Sequence, residues 1–162
     1  MKKFVVFLLM SCLLTGCAAE ETMETVADEF AENNPAPLRQ MIVQLPEDAL
    51  APVSESEYGA LYLCDGYEIL VQHLPSGDLN RTIREVTGFD PSEVTVLKTA
   101  AGEIKRYDLV WSSLGESGEQ IGRAAILDDG NYHYVLSVMA DAEQTMEYEQ
   151  CWQQLFASYG LE

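Results

Sequence analysis

Basic side chains are scarce in this chain of 162 residues, where nine Lys and Arg stand against 27 Asp and Glu, a formal net charge of −18 at pH 7. A surface of that sign repels nucleic acid, whose phosphates are gathered by clustered Lys and Arg. Past the N-terminus the one adjacent basic pair is Lys105-Arg106, so no nucleic-acid partner is expected. Histidine is scarcer still. Only His73 and His133 are available as a base at neutral pH, and hydrolases of the common kinds need such a base beside a nucleophile. The stretch GESGE, Gly115 to Glu119, puts Glu119 where a G-x-S-x-G motif needs its second glycine, so Ser117 reads as a turn residue. No glycine-rich loop of phosphate-binding spacing occurs. Cys64, His73, His133 and Cys151 are too scattered for the short ligand intervals of a zinc site. These gaps argue against catalysis and against a bound cofactor. They point to a non-catalytic binding or accessory protein.

A long apolar run is missing too. Phe4 to Leu14 is apolar but for Ser11 and Cys12, well short of the roughly 20 residues that span a bilayer. Preceded by Lys2 and Lys3, it has the charged and apolar regions of an export signal. The residues that follow, Leu14-Thr15-Gly16-Cys17, resemble the lipobox of bacterial lipoproteins. The resemblance implies cleavage before Cys17 and a diacylglyceryl group on its thiol. Two acyl chains, at about 0.8 kcal/mol per buried methylene, hold a water-soluble domain on a membrane without any spanning helix. The alternative is ordinary signal cleavage after Ala18.

On the lipobox reading, residues 1–16 are a lipoprotein signal peptide and 17–37 a lipid-anchored tether. Removing Lys2 and Lys3 leaves seven basic residues against all 27 acidic ones, a formal net charge of −20. Ala18 to Pro37 holds six acidic residues and no basic one, the composition of a spacer. Met23, Val26, Ala27 and Phe30 fall at helical spacing, enough for one short amphipathic helix. With Cys12 discarded and Cys17 lipidated, Cys64 and Cys151 remain, either as one disulfide of an exported protein or as two buried thiols.

Residues 38–162 carry the pattern of one folded α+β domain. Gln40 to Leu45 reads as a strand stopped by Pro46. Tyr58 to Cys64 and Tyr67 to Leu74 flank Asp65-Gly66, a strong hairpin signal. Leu79 to Thr87 reads as a helix, with Asp78 as its N-cap and Gly88 at its end. Val94 to Thr99, Glu103 to Ser113, Gln120 to Leu127 and Tyr132 to Met139 then form a meander, antiparallel because its connections are short. Tyr107, Leu109 and Trp111 alternate with Arg106, Asp108 and Ser112, so one side of that strand is buried. Asp141 to Tyr159 reads as a closing helix, with Asp141 and Gln144 as a capping pair and Gly160 as its stop. Its stripe of Tyr148, Trp152, Leu155 and Tyr159 covers the sheet as core. The expected architecture is an antiparallel meander of about six to seven strands covered by helices, the C-terminal one packed on the sheet.

This order of elements, and GNYHYVLSVMAD with the final helix above all, resembles the PsbP-type α/β/α sandwich. The resemblance covers about residues 38 to 160. It implies the fold and an accessory or binding role, and it carries no catalytic motif. The expected protein is therefore a lipoprotein of the bacterial cell envelope, held on an extracytoplasmic membrane face through Cys17. Its partner would be a protein or a small molecule. Two other readings stay open. One is an envelope hydrolase whose site is assembled from distant residues. The other is a calcium-dependent adhesion module using Asp128, Asp129 and Asn131, oxygen donors that a hairpin turn explains equally.

Overall fold

The computed structural model describes residues 36–115 and 118–162. The signal segment, Cys17, nearly all of the tether and Ser117 lie outside the described residues. Among the described residues, nine strands and two α-helices follow in chain order. They are β1 (Met41–Ile42), β2 (Ser54–Ser56), β3 (Gly59–Leu63), β4 (Tyr67–Pro75), α1 (Leu79–Thr87), β5 (Thr95–Ala101), β6 (Ile104–Leu114), β7 (Glu119–Asp128), β8 (Tyr132–Asp141), α2 (Thr145–Ser158) and β9 (Gly160–Leu161). Seven strands form one sheet in the order β2-β3-β4-β8-β7-β6-β5, every neighbouring pair antiparallel. This is the α+β class expected, with a helix on each face of the sheet.

The local chemistry accounts for most of these elements. Asp65-Gly66 makes a two-residue reversal: Gly66 takes φ 86°, and the Cys64 amide donates to the Tyr67 carbonyl at 2.9 Å. The Asp78 side chain accepts from the Asn80 amide and starts α1. Gly88, at φ 77°, stops it, in the left-handed conformation a glycine adopts freely. Along β6 the alternation holds, with Tyr107, Leu109 and Trp111 buried.

The two faces carry separate cores. On the α2 face, Tyr67, Ile69 and Val71 of β4 and Tyr134, Leu136 and Val138 of β8 pack under Trp152, Leu155, Phe156 and Tyr159. On the other face, Tyr107, Leu109 and Trp111 join Ala124, Ile126 and Val135 beneath Ile83 of α1. Each large apolar side chain buried in this way contributes about 1.5–3 kcal/mol. Trp152 and Tyr159 thus belong to the core, as their helical spacing predicts.

Three local expectations change. The segment after Asp141 is first a short 3₁₀ turn, Ala142–Gln144, and neither Asp141 nor Gln144 makes a side-chain cap hydrogen bond. The Asp141 carboxylate accepts instead from Gln120 Nε2 at 3.3 Å. Gly160 is no helix stop: Tyr159 is already extended (φ −74°, ψ 121°) and Gly160 opens β9. The strand expected over Gln40–Leu45 is only Met41–Ile42, and it pairs with β9 in a separate two-stranded sheet. Val43 and Leu45 pack instead against the α2-face core, ahead of Pro46. Among the described residues, no helix is long and apolar enough to cross a membrane.

Candidate functional site

α1 has nine residues, a length of about 13 Å. It covers the sheet above β6 to β8 and leaves the same face bare toward the β3–β4 turn. Strand register says what is bared, because directly opposed residues of antiparallel strands share a face. Leu63 lies opposite Glu68, Glu68 opposite Met139, Met139 opposite Gly122, and Gly122 opposite Trp111. One row of side chains therefore crosses five strands. The next row inward begins Leu61–Leu70–Ser137.

Over these rows lies a groove. A hollow of about 250 Å³ is lined by Leu61, Leu70, Val86, Trp111 and Met139 among others. A second, of about 450 Å³, shares Glu68 and Met139 with it and extends to Gln120 and Asp141. A third, of about 280 Å³, also touches Asp141 but is lined by Glu119, Glu143 and Gln144, and the alternation along β7 sets Glu119 on the face opposite Gly122. The groove runs from an aliphatic and indole-lined end, past Glu68, to Gln120 and Asp141. Gly122 shapes its floor, since a Cβ there would run into the Trp111 indole. The glycine lets that ring lie flat across the sheet. A glycine inside a strand is a recognised sign of close approach, and it was the signal in the sequence that could have found this site.

The sequence candidates lie elsewhere. His133 is buried on the α1 side, with Thr82 Oγ1 2.7 Å from its Nδ1 and Asp128 Oδ1 3.9 Å from its Nε2. Lys105 Nζ stands 3.4 Å from the other Asp128 oxygen. Hydroxyl, imidazole and carboxylate line up, but Thr82 is 5% and His133 1% exposed, so no substrate reaches them. The 3.9 Å gap exceeds a hydrogen bond. Burial depresses the imidazole pKa below its ordinary value, with the Asp128 and Asp129 charges opposing and Lys105 assisting. His133 is a core histidine pinning α1 to β8. His73 packs its ring against Tyr58 and Tyr132.

Asp128, Asp129 and Asn131 form the β7–β8 turn. Asp128 accepts from the Gly130 amide at 2.8 Å. Asp129 accepts from the Asn131 and Tyr132 amides and from the Tyr134 hydroxyl, and pairs with Arg39 at 3.6 Å. Burial pushes the Asp129 carboxyl up, yet those donors and Arg39 together hold it below its usual range. Both carboxylates are committed to the chain's own donors. Among the described residues, no group of three His, Cys, Asp or Glu side chains is placed to hold a metal ion.

Cys64 and Cys151 are free thiols in the structure, gathered around the Tyr67 hydroxyl. That hydroxyl donates to Asp48 Oδ1 at 3.3 Å and lies 3.4 Å from Cys151 Sγ. Burial pushes the Cys64 thiol pKa up, opposed by its hydrogen bond with Tyr67.

No protein-family model and no curated protein matches the chain. Among solved structures it is similar to LpqN of Mycobacterium tuberculosis, described as involved in cell envelope biogenesis. The match has 15% identity and a TM-score of 0.53, over 85% of this chain and 96% of that one. At that identity the likeness establishes a shared fold.

Proposed function

We propose that this protein is a lipid-anchored extracytoplasmic lipoprotein of the bacterial cell envelope whose domain is a non-catalytic binding or accessory module. The observation that carries the binding role is the groove beside α1, a trough of apolar and carboxylate side chains reachable from solvent. The lipobox Leu14-Thr15-Gly16-Cys17 supports the anchor. The involvement of the similarly folded LpqN in envelope biogenesis supports the setting. The enclosure of the Thr82–His133–Asp128 line weighs against the hydrolase reading. The engagement of Asp128 and Asp129 within their own turn weighs against the calcium reading, which an unchanged melting temperature on adding calcium would dismiss.

Cys17→Ala should move the protein from the membrane to the soluble fraction and abolish labelling by radioactive fatty acid. Persistent membrane attachment of that variant would refute the anchor.

A further inference from the structure

We infer that Cys64 and Cys151 are joined by a disulfide once the chain is exported, a bond that staples α2 to the β3–β4 turn. This rests on the extracytoplasmic reading, because cytosolic thiols are kept reduced. The described residues hold these two cysteines, far apart in the chain, and the fold brings them to one hydroxyl. Cys64 follows β3, and its amide donates to the Tyr67 carbonyl at 2.9 Å across the Asp65-Gly66 reversal. One step back Leu63 lies opposite Glu68, so Cys64 and Tyr67 stand opposite each other and share a face. That face is the one under α2, where Tyr67 belongs to the core. The centre of the Tyr67 ring lies 4.7 Å from that of Tyr148 and 6.2 Å from that of Trp152, on the helix turn that carries Cys151. The Tyr67 hydroxyl is 3.4 Å from Cys151 Sγ and forms a hydrogen bond with the Cys64 thiol as well.

Neither thiol is sealed in the way of an inert core cysteine. Both are half-buried. Cys64 lines a hollow of about 450 Å³ and Cys151 another of about 310 Å³. A zinc ion takes three or four protein ligands, and among the described residues no group of three is placed to hold a metal. The oxidant is a disulfide carried by another exported protein. One of the two thiolates attacks that disulfide, forming a mixed disulfide and releasing one partner thiol. The second thiolate attacks the chain's own sulfur in the mixed disulfide and expels the other partner thiol. The chain gives up two protons and two electrons, and the partner's disulfide takes them up as two thiols. The Tyr67 hydroxyl keeps its bond to Asp48 Oδ1, at 3.3 Å. The loop closed in this way runs from β3 to α2, and long loops gain most from a cross-link in the chain-entropy account.

The test uses the full chain. Cells are lysed into N-ethylmaleimide, and the protein is purified in non-ionic detergent and cut with trypsin without reductant. Cleavage after Arg39, Arg81 and Arg123 leaves Cys64 in Gln40–Arg81 and Cys151 in Ala124–Glu162. Mass spectrometry should find these peptides joined, lighter by two hydrogens than their sum, and dithiothreitol should part them. Reduced protein treated with oxidised glutathione should form the same link. Reduction should lower the melting temperature by several degrees, with no such effect in Cys64→Ser combined with Cys151→Ser, whose folding circular dichroism checks. Maleimide on both cysteines in the cellular sample, a link to the Phe4–Arg39 peptide instead, failure of oxidised glutathione to close the bond, or a native melting temperature indifferent to reductant would each overturn the inference. Failure with oxidised glutathione faults the geometry alone. Closure in the tube with both thiols capped in the cell faults the extracytoplasmic reading, which the Cys17→Ala fractionation checks independently.

Discussion

On one face of the sheet α2 lays fourteen residues across β4, β7 and β8 and seals Trp152, Leu155 and Phe156 beneath it; on the other, α1 supplies nine residues and leaves part of the surface bare. The sealed face is almost wholly aromatic and aliphatic, and Arg106 ties it from outside by donating to the Phe156 carbonyl at 3.1 Å. The α1 face mixes its apolar core with Thr82, His133, Asp128 and Ser137, all buried. One face thus supplies cohesion, and the other gives up some burial for an accessible row of mixed chemistry. A sheet of seven strands divides these tasks because its two surfaces are covered independently.

Five substitutions test that division. Trp152→Ala, which empties the centre of the sealed face, should cost about 3–5 kcal/mol, read as a fall in the denaturant midpoint. Thr82→Val leaves the buried His133 Nδ1 without its partner and should cost about 1–3 kcal/mol. This face is also the one sensitive to mild acid. Burial lowers the His133 pKa, so below about pH 6.5 the unfolded chain takes up the proton first and stability falls with pH. His133→Asn should flatten that stretch of a stability–pH curve. The lowered Asp129 carboxyl adds a separate loss below about pH 4. Gly122→Ala pushes the Trp111 indole off the sheet and should cost about 1–3 kcal/mol by overpacking, with a changed near-ultraviolet circular dichroism spectrum. Asp78→Ala removes the cap of the short helix and should cost about 1 kcal/mol, lowering the melting temperature slightly.

Much of this fold was legible from local chemistry. Asp65-Gly66, Asp78, Gly88 and the alternation of Tyr107, Leu109 and Trp111 each act within a few residues, and each stands where the pattern put it. β2 escaped notice because Ser54–Ser56 is exposed throughout and alternates nothing. The 3₁₀ turn Pro91–Glu93 did carry a signal, since Asp90 and Glu93 form a capping box around a proline, but it is too short for a periodicity. The end of α2 was misread because a glycine that begins a strand looks, in sequence, like one that ends a helix. Of the groove, the in-strand Gly122 was the one trace in the sequence. The groove itself depends on β8 lying between β4 and β7 and on α1 ending short of the β3–β4 turn, and neither is encoded in local periodicity. The partner of His133, Thr82, lies 51 positions away, beyond what spacing reveals.

β1 and β9 have a consequence of their own. Met41 lies opposite Leu161, and the Glu162 amide donates to the Gln40 carbonyl at 3.0 Å, so the path of the folded chain closes on itself. Such a ring can be reopened somewhere else. A circular permutant that joins Glu162 to Pro37 through a short glycine linker and starts at Gly102, in the β5–β6 turn, should keep the same sheet and both cores. The arrangement of the sheet is thus separable from the order in which its strands follow one another along the chain.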